Sequence, residues 1–342
     1  MRLQKKIFML QKLLVDVTSR KRPFPLALSD SKMSRALPDS KLREYYFKFS
    51  EQPAKLNRLI IGFDRDGIPL NQPYVDVDGA LPHYYPISIG QYGLAVFHSY
   101  LITSDEAKKN HFLRIADWFM RNVTEDAELG CYWLTDVPKP EYKIQQAWKS
   151  AFSQSRAISI LLRAWQLTGK GDYLSTAGKA LLPFTKDIKA GGVSANLLEG
   201  HPFYEEYVAA EPTMVLDGHI FSLFGLHEYL RAVTPAVDPH GHELAQTLFD
   251  RGMESLLYYL PEYDLHYWLR FNLCRMPHYP PIDPCTVGYL RLVTIQLEVL
   301  FHITKDSRII EWHSRIKRYD HPGNIIKMYK LKFKVLKELN RL

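Results

Sequence analysis

Residues 155–188, SRAISILLRAWQLTGKGDYLSTAGKALLPFTKDI, carry the pattern on which the fold turns. Two stretches place apolar residues at i, i+3, i+4 and i+7, the period of an amphipathic helix, and the short GKGD break between them makes the pair antiparallel. The same period recurs upstream in QYGLAVFHSYLI (91–102) and HFLRIADWFMRNV (111–123). Downstream it returns in LDGHIFSLFGLHEYLRAV (216–233), GHELAQTLFDRGMESLLYYL (241–260), LRLVTIQLEVLFHIT (290–304) and SRIIEWHSRIKRY (307–319). Most of these runs are bounded by Gly, Pro, Asp or Ser. Short turns alternate with longer, aromatic-rich segments, and successive antiparallel pairs of this kind close into a toroid. The expected fold is all-α, an incomplete α/α barrel, preceded by a short irregular segment in which LIIGFD (59–64) reads as a strand of a β-hairpin. The longer loops are expected to build a cleft at one end.

The chain has 342 residues, enough for a sizeable core. Three segments are expected: a basic, partly helical stretch over 1–56, the toroid over 57–318, and a basic helical tail over 319–342. With 46% hydrophobic and 24% charged residues the composition is that of an ordinary soluble enzyme. The net charge of +7 is concentrated at the two ends, in residues 1–22 and 317–342. Basic ends attract nucleic acid, anionic lipid or an acidic polymer, or are simply solvated helix faces. No helix-turn-helix, zinc-finger or RNP pattern accompanies them, so nucleic acid is not expected as a partner. A peripheral contact with a membrane or a polysaccharide-assembly machinery stays open, as does a homodimer. Three scattered cysteines point to a reducing compartment rather than a disulfide framework. No apolar run approaches the ~20 residues of a membrane span. Residues 1–22 lack a signal-peptide cleavage pattern and read as an amphipathic helix, either a docking element or the first helix of the fold.

The segment HPFYEEYVAAEPT (201–213) gathers two acids and two tyrosines outside any helical period. Acids and phenols crowded on a loop favour the shifted pKa values that proton transfer needs, although a solvated surface loop would read the same way. Metal signals are weak. DRDG (64–67) and DVDG (76–79) echo the start of a calcium loop without its closing Glu, and His240 and His242 lack a third ligand nearby. No phosphate-binding or dinucleotide-binding Gly motif is present, so neither metal nor cofactor is expected.

At this point the chain resembles the D-glucuronyl C5-epimerases. FYEEYVA followed by VLDGHIFSLFGLHEYL is similar to that family's W-Y-E-E-Y-P segment and V-L-N-G helix. GIPLNQPYVDVDGALPHYYPISIGQYGLAVF (67–97), AWKSAFSQSRAISILLRAWQLT (147–168) and LFDRGMESLLYYLPEYD (248–264) match three further family motifs in order, so the resemblance runs from about 66 to 315. The chain departs from the pattern at three places. Asp217 stands where the family has Asn, Arg156 replaces a Gln, and Leu290 and Val293 replace two His near Tyr289.

The resemblance implies a reaction that inverts C5 of a uronate in an anionic polysaccharide, such as heparosan, with no cofactor. A weakly acidic proton α to a carboxylate leaves one face of the ring and another returns to the opposite face. Carried over residue by residue, Glu206 and Tyr289 are expected as the opposed pair, assisted by Tyr207 and Tyr267. Tyr84, Tyr85, Gln91, Trp148, Gln154, Arg156 and Arg270 are expected to hold the substrate. Two other readings stay open: a uronate lyase, which begins with the same proton abstraction but expels the C4 substituent, and a non-catalytic protein that binds or assembles acidic polysaccharide.

Overall fold

Burial sorts the helices into two rings. The computed structural model describes residues 2–18, 27–28, 40–74, 77 and 81–341, so residues 1, 19–26 and 29–39 of the basic segment, all of the 76–79 stretch except Val77, and residue 342 of the basic tail lie outside it. In chain order the helices are α1 (Arg2–Thr18), α2 (Pro53–Leu56), α3 (Pro86–Thr103), α4 (Glu106–Arg121), α5 (Ala151–Thr168) and α6 (Gly171–Lys179). They continue with α7 (Leu216–Ala232), α8 (Pro239–Tyr263), α9 (Val287–Thr304), α10 (Ser307–Lys317) and α11 (Pro322–Glu338). Among the described residues four antiparallel two-stranded ladders decorate them: β1 (Ala27–Leu28) with β2 (Phe47–Lys48), β3 (Ile60–Phe63) with β4 (Pro69–Asn71), β5 (Thr124–Asp126) with β6 (Gly130–Tyr132), and β7 (Ser194–Ala195) with β8 (Phe203–Tyr204). The hairpin read from LIIGFD is the β3–β4 ladder.

Every residue of α5 from Ala151 to Ala164 is buried, and α7 is buried almost throughout, as expected of helices walled in on all sides. By contrast α10 buries only Ile309, His313 and Ile316, a single stripe. Each inner helix contacts the next, α3 to α5, α5 to α7 and α7 to α9, and each outer helix (α4, α6, α8, α10) packs on the inner one before it. This is an α/α toroid. Close approach of α5 and α7 requires Gly225, where an added Cβ would sit 2.5 Å from the Ser155 hydroxyl. The same interface buries Arg163, whose guanidinium donates to both Glu228 oxygens at 2.9 and 2.6 Å. Such a two-pronged contact satisfies charges that would otherwise be costly to bury.

The connections are short where an inner helix passes to its outer partner, as at Gly169 and Lys170, and long where an outer helix passes to the next inner one, over 122–150, 180–215 and 264–286. All the long loops therefore gather at the N-terminal ends of the inner helices. The terminal helices join this body. Helix α1 packs along α11, and the Tyr329 hydroxyl donates to Asp16 at 2.6 Å. Ile325, Met328 and Tyr329 of α11 belong to the same hydrophobic core as the barrel. By length and composition α9 could cross a bilayer, yet here it packs between α7 and α10.

Candidate active site

A cavity of about 670 Å³ opens at the end where the long loops meet. The first turns of four inner helices line it, through Tyr85 and Gln91 of the α3 region, Phe152 of α5, Asp217 of α7 and Tyr289 of α9. Helix N-termini carry unsatisfied N–H groups and partial positive charge, so their convergence favours an anionic ligand. The volume is typical of pockets that enclose small-molecule-sized groups. Met9 and Lys12 of α1, with Lys332, Leu336 and Arg341 at the C-terminal end, complete the wall.

The segment 201–213 reaches this cavity because half of its polar groups are spent on holding it in place. The Tyr204 hydroxyl donates to the Leu248 carbonyl at 2.6 Å, and its N–H donates to His219 Nδ1 at 2.9 Å. Glu205 is fully buried and accepts from the Thr213 hydroxyl at 2.6 Å and from the Thr213 and Met214 N–H groups at 3.1 and 3.0 Å. Burial nevertheless lifts its pKa to about 7. Glu206 and Tyr207 then face the cavity. The loop presses against the first turn of α7, where a Cβ on Gly218 would meet the Glu206 Cβ at 2.5 Å and Oε2 at 2.7 Å. The glycine of VLDG is thus required by the approach of the acid beside it.

Glu206 is 5% exposed, and burial raises its pKa to about 7, against the lowering effects of the nearby Tyr207 hydroxyl and Lys139 ammonium. Asp217, equally buried, is held well above the ordinary carboxyl range by burial and then by the Glu206 charge. Tyr289 lies half-buried in the first turn of α9 against Phe271, with ring centroids 5.1 Å apart. Its phenol is raised far above its usual value, first by burial and then by Asp217 and Glu206. Tyr207 is raised by burial and Glu206. The cavity therefore offers a carboxylate that titrates near neutrality beside phenols that keep their protons.

Lys139 shares this lining. It sits in a tight turn in which its N–H donates to the Ile144 carbonyl at 2.9 Å and Lys143 adopts a left-handed conformation. Its ammonium stands 3.7 Å from the Tyr74 ring centroid, 4.6 Å from that of Tyr207 and 3.0 Å from the Glu141 carboxylate. Glu141 in turn pairs with Arg341 at 3.4 Å.

Of the residues expected from the sequence, Glu206, Tyr207, Tyr289, Tyr85 and Gln91 line the cavity together. Among the described residues the lining does not include the other six. Trp148 is buried behind it, packing on Tyr207 at 5.2 Å and Tyr85 at 6.2 Å while its Nε1 donates to the Val137 carbonyl. Gln154 is fully buried and bonds the Cys131 and Ala180 carbonyls. Arg156 is fully buried, its guanidinium 4.5–5.3 Å from the rings of Phe221, Phe152, Tyr45 and Phe49 and one nitrogen donating to the Tyr45 hydroxyl. Three of those rings, Phe49, Phe152 and Phe221, also line the cavity. Tyr84 is exposed and donates to Asp64 at 2.7 Å, and Asp64 itself closes the β3–β4 turn. Tyr267 lies under the Lys327 ammonium, and Arg270 donates to the Pro281 carbonyl.

Tyr74, Lys139, Glu141 and Asp217 were not among the expected site residues. VPKPEYK reads as a solvated turn, and only the prolines flanking Lys139 hint that its conformation is fixed. Asp217 was visible as a departure from Asn, but its pairing with Glu206 depends on the path of the loop.

Comparison with known proteins gives the family and the fold. The D-glucuronyl C5-epimerase of Caenorhabditis elegans is 28% identical over 184 residues, 52% of this chain and 30% of that protein. An uncharacterized protein of Methanocaldococcus jannaschii is 23% identical over 186 residues, 54% of this chain and 56% of that protein. The chain thus spans only part of the length of these curated relatives. Among solved structures, cellobiose 2-epimerase from Spirochaeta thermophila has the same fold, with a TM-score of 0.54 over 85% of this chain and 80% of that one at 11% identity. The family model described as D-glucuronyl C5-epimerase C-terminus matches residues 131–318, more than half of the chain and all of the segments that bring Lys139, Glu206, Asp217 and Tyr289 to the cavity. The chain therefore belongs to the D-glucuronyl C5-epimerase C-terminus family.

Proposed function

We propose that this protein is a polysaccharide D-glucuronyl C5-epimerase that converts D-glucuronate into L-iduronate residues within an anionic polymer such as heparosan. The observation that carries this reading is the pairing of Glu206 and Tyr289 on one cavity, the first titrating near 7 and the second kept protonated. A general base works best with a pKa near the operating pH, and a phenol that holds its proton is the matching acid.

Glu206 takes the C5 proton, and the electron pair of the broken C–H bond moves into the neighbouring carboxylate as an enediolate. Tyr289 delivers its proton to C5 from the opposite face, leaving a phenolate and a protonated Glu206. Tyr207, next to Glu206 on the cavity lining, offers a route by which protons exchange with solvent and the starting state returns. The four helix N-termini favour the charge that accumulates on the enediolate. The reverse reaction uses the same groups in exchanged roles. In this reading Tyr267 and Arg270 take no part in the proton transfer.

The test is product analysis. Heparosan incubated with the protein and then depolymerised chemically should yield L-iduronate. An unsaturated, ultraviolet-absorbing product would make the protein a lyase instead, and tight binding with an unchanged polymer would make it a binding protein.

A further inference from the structure

An enediolate is stabilised by a cation beside it, and neither arginine expected in that role lines the cavity: Arg156 is buried among aromatic rings and Arg270 donates to the Pro281 carbonyl. Six cationic side chains among the described residues line the cavity, Lys12, Lys55, Arg58, Lys139, Lys332 and Arg341, and of these Lys139 is the one set against Tyr207 and acting on Glu206. Its ammonium is 3.0 Å from Glu141, and its other side faces the Tyr74 and Tyr207 rings, adjoining Glu206. An ammonium has three N–H donors, so one ion pair leaves donors available to an incoming ligand. We propose that Lys139 is the residue that receives the uronate carboxylate, holding C5 beside Glu206 and stabilising the enediolate. This rests on the reading of the site as an epimerase centre.

The surroundings favour that role. Burial pulls the Lys139 pKa down, but the neighbouring Tyr74 and Glu141 outweigh burial and keep the side chain charged. The 139–144 turn fixes the backbone that carries it, and Glu141, held also by Arg341, fixes the direction of the ammonium. The aromatic faces of Tyr74 and Tyr207 hold a cation without supplying a carboxylate that would compete with the substrate. A group preorganised in this way loses little on binding and gains most as charge builds on the carboxylate.

The experiment compares the wild type with Lys139→Met and Lys139→Arg in two assays. The first is binding of heparosan and of heparosan whose carboxyl groups have been reduced to alcohols. The second is C5 exchange of solvent deuterium into heparosan. The wild type should prefer the carboxylated polymer, Lys139→Met should lose that preference, and Lys139→Arg should keep it. Exchange in Lys139→Met should fall by roughly 10²-fold or more, the scale for losing one donor to a developing oxyanion. A folded Lys139→Met protein that retains both the preference and the exchange overturns the proposal. Should Lys139→Met fail to fold, Lys139→Gln replaces it with a polar, uncharged chain, and the same two outcomes decide. Loss of the carboxylate preference in a protein whose wild type exchanges no deuterium would leave Lys139 as the anchor and remove the epimerase reading.

Discussion

Replacing Glu206 by Gln should stabilise the protein while stopping its chemistry, and the stabilisation should depend on pH in a defined way. The carboxyl is nearly inaccessible to solvent, and burial lifts its pKa from 4.5 to about 7. Below pH 4.5 both folded and unfolded chains carry the proton, and the buried group costs nothing in charge. As pH rises, the unfolded chain ionises first and gains what the folded chain cannot until about pH 7, so stability is lost across that window. A shift of about 2.5 units at ~1.4 kcal/mol per unit gives a penalty of about 3 kcal/mol by pH 8, against about 1 kcal/mol at pH 5. Glu206→Gln removes the ionisation and should recover those amounts. Urea unfolding of both proteins at pH 5 and pH 8 reads the difference directly. Equal gains at the two pH values, or no gain at pH 8, would mean that Glu206 is ionised in a solvated setting and is not a poised base.

Other expectations follow from the same geometry. Tyr289→Phe keeps the ring against Phe271 but removes the proton donor, so epimerisation should fall by roughly 10²-fold with little change in polymer affinity, as expected for a group that acts in the transition state. Adding Glu206→Gln should make matters little worse, because members of one proton-transfer unit are not additive. Tyr267→Phe should leave exchange within about threefold of normal, since the ring lies off the cavity lining; a loss on the scale of Tyr289→Phe, about 10²-fold, would require the 264–286 loop to move when polymer binds. Glu228→Ala should cost about 3–5 kcal/mol in urea unfolding by leaving Arg163 buried without its partner, whereas a cost below about 1 kcal/mol would mean that water reaches the α5–α7 interface.

The helical pairs, their alternation of short and long connections and the cleft at one end were legible in the sequence because they depend on apolar period and loop length alone. Which charged residues face the cleft was not. Arg156 and Gln154 lie on α5, a helix buried on every side, where period does not separate a face toward the cavity from a face toward the neighbouring helix. The partners that polar groups on such a helix find are set by the tertiary fold: Arg156 has the Tyr45 hydroxyl and the faces of aromatic rings, and Gln154 two backbone carbonyls, one of them of Cys131 and none close in sequence. Glu206 and Tyr207 were singled out by the family resemblance, since acids and phenols crowded on a loop outside any helical period read equally well as a solvated surface. Lys139 was missed because a Lys between two prolines reads as solvated until the chain brings Tyr74 and Glu141 to it. The basic ends read equally well as docking elements or as part of the fold; α1 and α11 pack together beside the cavity and contribute to its wall.

The central claim is that C5 of a polymer-bound uronate exchanges its proton between Glu206 and Tyr289. Incubating heparosan with the protein in deuterated water and reading the C5 position by NMR tests it most directly. The account predicts deuterium at C5 in both glucuronate and newly formed iduronate, with incorporation collapsing in Glu206→Gln and in Tyr289→Phe. Polymer that binds the folded wild-type protein yet returns with no label at C5, or label that persists unchanged in both variants, would contradict it.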